Sequence, residues 1–134
     1  SREQFDAFKA DLDGALRRDG LADAEIGMKG TATTFYSENP GKPLGHHWDA
    51  DPKNLGDYDL NITSNTMVKQ LGDSGVTPSE KYGVYRTRDI EQNYPALDEF
   101  SQKWSQELGR EVNLVGYPKP QPRDATEFIL RGTQ

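Results

Sequence analysis

The sequence predicts an α/β (α+β) domain, a small sheet with flanking helices, on three observations. Apolar residues recur at helical spacing over residues 4–18 and again from Tyr94 to Leu108. Short runs of alternating apolar residues stand at 25–29, 57–62 and 110–117. The segments between them are built of Gly, Pro, Asn, Asp and Ser, the residues of turns. The chain has 134 residues, enough for a single core but not for two. Its hydrophobic fraction of 33%, with 13 Gly and 8 Pro, marks a loop-rich domain with a modest core.

Phe5, Phe8, Leu12, Ala15 and Leu16 define the first amphipathic helix, with Asp19-Gly20 as its stop. Glu25 to Lys29 reads as a short strand running into Gly30-Thr31-Ala32-Thr33-Thr34. Residues 35–55 are turn chemistry almost throughout, and a loop of that length inside a compact domain tends to be functional. A strand follows over Asp57 to Ile62, then a helix capped within Thr63-Ser64-Asn65, carrying Met67, Val68 and Leu71 and closed by Gly72. Lys81 to Arg88 reads as a half-buried strand or loop. Tyr94-Pro95 opens the second strong helix, whose stripe of Leu97, Phe100, Trp104 and Leu108 belongs in the core, and Gly109 ends it. A tight turn leads to a strand ending at Tyr117, before Pro118, Pro120 and Pro122; the tail 127–131 is a further apolar element, strand or helix.

The chemistry concentrates at Gly56-Asp57-Tyr58-Asp59-Leu60-Asn61-Ile62. On a strand Asp57 and Asp59 share one face while Tyr58, Leu60 and Ile62 share the other. Neighbouring carboxylates repel and raise each other's pKa unless a cation lies between them. Hard ions such as Mg²⁺ take oxygen ligands, commonly one or two carboxylates plus substrate phosphates, so the pair points to chemistry on a nucleotide. Gly30-Thr31, at a strand end, has the small residue and hydroxyl that let backbone N–H groups approach a phosphate; a plain turn is the alternative. Lys81, Arg86 and Arg88 around Tyr82 and Tyr85 form a basic and aromatic cluster suited to holding phosphates or stacking a base, a solvated strand being the alternative. His46 and His47, with Trp48, Asp49 and Asp51, are a second candidate catalytic cluster, against a loop that folds Trp48 over the domain.

With 22 acidic against 16 basic residues and a formal charge of -6, charge alone does not favour binding to nucleic acid. The chain has no cysteine, so disulfides, thiolate nucleophiles and cysteine-ligated zinc are excluded. No apolar run approaches the roughly 20 residues that span a bilayer. The start at Ser1, straight into a helical pattern, reads as a piece cut from a longer protein, its C-terminal fragment.

The order of elements, with Gly30-Thr31 ending one strand and Asp57-Tyr58-Asp59-Leu60 on the next, resembles the nucleotidyltransferase superfamily. Leu108 to Val115 is similar to that family's passage from helix to third strand. Lys29-Gly30-Thr31-Ala32, a Gly- and Pro-rich loop and Gly56-Asp57-Tyr58-Asp59 look most like the nucleotidyltransferase-like toxin domains of bacterial polymorphic and contact-dependent inhibition systems. The resemblance covers residues 22–117. It implies a small mixed sheet, Mg²⁺ or Mn²⁺ on Asp57 and Asp59, and an NTP held by Gly30 and Thr31 with Lys81, Arg86 or Arg88 on the leaving group. It implies transfer of a nucleotide to an RNA (tRNA) or protein acceptor, delivery from a secreted or cell-surface parent into the cytoplasm of a target bacterium, and a cognate immunity protein as partner. The chain departs from the pattern in two places. Asn113 stands where many members carry a third carboxylate, leaving Glu111, its same-face neighbour, as the substitute; and the gap between Thr31 and Asp57 is long. Two other readings stand beside this one. His46 and His47 with Asp49 and Glu111 would make a nuclease, and two Trp and six Tyr would furnish the interface of an inactive partner-binding domain.

Overall fold

The structure, a computed structural model, describes residues 2–30, 58–120 and 128–131. Helix α1 spans Arg2–Arg18, strand β1 Glu25–Gly30, strand β2 Tyr58–Thr63 and helix α2 Asn65–Asp73. Helix α3 spans Thr87–Asn93, helix α4 Pro95–Leu108, strand β3 Val112–Tyr117 and strand β4 Phe128–Arg131. The sheet is mixed, in the order β3-β2-β1-β4. β1 runs antiparallel to β2 and to β4, whereas β2 and β3 are parallel. The tail is therefore a strand, with a shift of register against β1 between Ile26 and Gly27.

Period-two alternation sorts the sheet into a packed face and a polar one. Ile26 and Met28 of β1, Tyr58, Leu60 and Ile62 of β2, Val112 and Leu114 of β3 and Leu130 of β4 are buried in one cluster with the apolar stripes of the helices. Phe8 of α1 packs between Phe100 and Trp104 of α4, each ring centroid 5.2 Å away, which joins the two long helices. The Trp104 stripe is core, as its spacing predicts.

The short connection after α1 fixes the other helices. Gly20 (φ 78°) takes the left-handed turn that ends α1. Asp19 then accepts hydrogen bonds from the Ala96 and Leu97 N–H groups at the start of α4, at 3.0 and 2.8 Å. Asp23 accepts from the Ser64 hydroxyl (2.6 Å) and the Thr66 N–H (3.0 Å), while Ser64 itself caps the Met67 N–H at 3.1 Å. Burial pushes the Asp23 carboxyl up, but the hydrogen bonds from Ser64 and Thr66 outweigh it and hold the group below its ordinary value. Between these caps the buried Tyr94 donates to Gln70 at 2.9 Å. Burial, with the nearby Asp19 and Asp23 charges, pushes its phenol up to about 12.

Two segments differ from the sequence expectation. α2 does not stop at Gly72 but runs to Asp73, and the left-handed residue beyond it is Gly75 (φ 83°). The segment read as strand or loop around Lys81 to Arg88 is a turn, a single bridge of Tyr85 to Gly116, and then the first turn of α3. That helix has one buried apolar residue, Ile90, and so no periodicity to announce it.

An edge strand turns every second N–H and C=O away from the sheet, and in β3 these are the groups of Val112, Leu114 and Gly116. All three residues are engaged. The Ser105 hydroxyl accepts from the Val112 N–H at 2.9 Å. The Thr87 hydroxyl donates to the Leu114 carbonyl at 3.0 Å and accepts from the Leu114 N–H at 3.1 Å. Gly116 exchanges two backbone hydrogen bonds with Tyr85, whose side chain lies so close that a Cβ on Gly116 would sit 3.1–3.2 Å from its Cβ and ring. The crossover from β2 to β3 thus stitches down the strand it delivers. Thr87→Val, which keeps the shape and deletes the hydroxyl, should destabilise the chain by about 2–3 kcal/mol in urea unfolding, whereas Thr87→Ser should cost less than about 1 kcal/mol.

Candidate functional site

At one end of the sheet the register gathers several of the residues singled out by sequence. Gly30, the last residue of β1, lies opposite Tyr58, the first of β2. The Tyr58 N–H donates to the Glu111 carbonyl at 2.8 Å, which places Glu111 immediately before β3 and beside the start of β2. Asp59 is exposed on the polar face, as alternation requires, while Tyr58, Leu60 and Ile62 are 6%, 0% and 0% exposed on the other. Its register partners are Lys29 on β1 and Asn113 on β3. The Asn113 side-chain amide donates to Asp59 Oδ1 at 3.1 Å, orienting the carboxylate without adding charge. Farther along the same face, the Tyr117 hydroxyl reaches Asn61 Oδ1 at 3.5 Å.

Asn113 also lines a cleft of about 420 Å³ between α3, α4 and the start of β3. Thr87, Glu91, Ser101, Gln106 and Glu111 share that lining. The Ser101 hydroxyl, 2% exposed, donates to Glu91 at 2.9 Å, so Glu91 is held in place. Asn113 belongs both to the cleft lining and to the hydrogen bond with Asp59.

The basic cluster is not gathered there. Tyr85 bridges Gly116, three residues beyond Asn113 and so about 10 Å along the strand. The Arg86 guanidinium is engaged with Asp89 at 3.1 Å, and Asp89 Oδ2 also takes the Arg86 N–H at 3.2 Å. Lys81 lies over the exposed ring of Tyr82, 5.2 Å from its centroid, and Arg88 is exposed on α3. Tyr85 is 4% exposed and unavailable for stacking a base. Burial likewise removes Tyr58, Tyr94 and Trp104 from the proposed aromatic interface, leaving Tyr82 as the exposed large aromatic among the described residues.

Thr31, Asp57, the pair His46 and His47, and Trp48, Asp49 and Asp51 lie outside the described residues. Among the described residues no group of three or more His, Asp or Glu side chains forms a metal cluster, and no helix is long and apolar enough to cross a membrane. That Lys29 is a register partner of Asp59 is not legible in the sequence, because the sequence between residues 30 and 58 sets no pairing register. Glu91 escaped it because α3 itself did. No protein-family model, curated protein or solved structure matches the chain.

Asn113→Asp tests the Asp59 pairing directly. A second carboxylate opposite Asp59 should lower stability by about 1 kcal/mol, or about 3–5 °C in Tm, at pH 7 in chelator. Millimolar Mg²⁺ should restore it by bridging the pair. An unchanged Tm in both conditions would mean that the two side chains do not face each other.

Proposed function

We propose that this chain is a nucleotidyltransferase-like domain that moves a nucleotide from an NTP to an acceptor hydroxyl. The observation that carries the reading is the convergence of Gly30, Asp59, Glu111 and Asn113 at one end of the sheet, drawn from three strands far apart in sequence. In sequence Asp57 directly precedes Tyr58, the first residue of β2.

The donor chemistry fits a hard divalent ion, since Asp59 offers an exposed carboxylate and its described hydrogen bond is a single one on Oδ1. Mg²⁺ or Mn²⁺ would be held by Asp57 and Asp59 and would supply charge neutralisation at the triphosphate. The rest falls to the protein. Gly30 and Thr31 provide a backbone approach for the phosphates, with no Cβ at the first position. Asn113 fixes the rotamer of Asp59 by its amide N–H. The acceptor oxygen attacks the α-phosphorus, the bond to the β-phosphate breaks, and pyrophosphate leaves with the electron pair. Glu111, exposed beside β2, takes the acceptor's proton and passes it to water. Positioning supplies most of the rate in such reactions. Arg86 is committed to Asp89, so Lys81 and Arg88 are better candidates for the leaving group than Arg86. As a toxin-type effector the domain would be delivered by a secreted or cell-surface parent into a target bacterium and restrained by an immunity protein in the producer.

Incubation of the chain with Mg²⁺, each α-labelled NTP, and bacterial RNA or soluble protein checks the reading. Label should move to an acceptor and fall by at least about a hundredfold in Asp57→Asn and Asp59→Asn. RNA or DNA shortened without NTP would instead favour the histidine-loop nuclease, and neither result would favour the partner-binding domain.

A further inference from the structure

The cleft that shares Asn113 with the Asp59 carboxylate is lined by hydroxyls, amides, Val112 and two carboxylates, and among the described residues none of its lining is Lys, Arg or His. We infer that this cleft is the acceptor subsite, and that it takes a hydroxyl-bearing polypeptide segment flanked by basic residues rather than RNA. The inference rests on the nucleotidyl-transfer reading and adds the class of acceptor to it.

Three features support it. The first is sign. Glu91 and Glu111 face into a concavity without a compensating cation in its lining, on a chain of formal charge -6, and a phosphodiester backbone would enter against that field. A segment carrying Lys or Arg would be drawn in. The second is built geometry. Glu91 is held by the buried Ser101 hydroxyl, and Thr87 is locked between the Leu114 N–H and carbonyl, so the walls are set before anything binds. The third is size and place. About 420 Å³ falls within the range of pockets that hold a ligand of a few residues or a drug-sized molecule. Asn113 connects the cleft to Asp59, and Glu111 stands on the same wall. An acceptor hydroxyl there lies beside the group proposed to receive its proton. Its oxygen forms the new bond to the α-phosphorus as the bond to pyrophosphate breaks, and the proton goes to Glu111.

The test gives the full chain Mg²⁺, α-labelled NTPs and three acceptors in competition: a Ser-, Thr- and Tyr-containing peptide flanked by Arg and Lys, the same peptide flanked by Glu, and total bacterial RNA. Pyrophosphate release is read alongside. The expected result is label on the basic peptide, with KM for it raised about five- to tenfold by Gln106→Lys in the cleft and unmoved by Gln92→Lys, an exposed position on α3 outside the cleft lining. Label on RNA, or equal labelling of the two peptides, overturns the acceptor inference and leaves nucleotidyl transfer standing. Equal KM effects of the two lysine substitutions would also overturn it, showing a diffuse charge effect rather than a subsite. No label on any acceptor and no pyrophosphate release overturns both readings.

Discussion

Parallel pairing of β2 with β3 is the constraint from which the rest of this structure follows. Two parallel neighbours cannot be joined by a tight turn, so the chain must leave the end of β2, cross the sheet and return to start β3 at the same end. Residues 64–111 make that journey through α2, α3 and α4. The return places Asn113 opposite Asp59 and Glu111 beside Tyr58, and it puts α3 and α4 where their polar residues border the new strand. Ser105, Thr87 and Tyr85 then take the outward N–H groups of Val112, Leu114 and Gly116 and the outward carbonyls of Leu114 and Gly116, which blunts this edge. The cleft and the carboxylate are both products of one register.

The crossover is anchored by the acidic residues near the N-terminus. Asp19 and Asp23, four residues apart, cap α4 and α2 respectively, and Tyr94 lies between the two caps as a phenol kept protonated by its burial. On α1 itself, Asp11 accepts from both Lys103 and Trp104 of α4, and the Lys103 contact is the larger cause of its lowered pKa. Asp13 joins Arg131 of β4 and Arg17, which hold its carboxyl below the ordinary value. Much of the chain's acidity is therefore internal wiring, tying helices to one another and to the last strand. Asp59 and Glu111, by contrast, are exposed at the end of the sheet, and Glu91 is half-buried in the cleft wall against Ser101.

Periodicity carried most of the architecture. The 3.6-residue stripes gave α1 and α4, Gly109 and Pro95 gave the ends of α4, and alternation placed Asp59 on the polar face and Leu60 on the packed one. It failed where local sequence carries no tertiary information. Thr87–Asn93 has too few apolar residues to show a helical period, and its Thr87 hydroxyl acts on β3 rather than on its sequence neighbours. Lys81 to Arg88 looked like a phosphate-holding cluster because charge is visible in a sequence and an ion pair with Asp89 or the burial of Tyr85 is not. In sequence Asn113 stands only as an absent third carboxylate. That its amide should hold Asp59 depends on a parallel register 54 residues away, which only the folded sheet supplies.

The most direct test of a nucleotide site at this end of the sheet is residue-resolved amide NMR of the chain titrated with Mg²⁺ and a non-hydrolysable NTP analogue. Saturable shifts centred on Gly30, Tyr58 to Leu60 and Glu111 to Leu114 are the predicted result. Shifts centred on 81–86 with the sheet end unmoved, or no saturable shift at millimolar analogue, would contradict it.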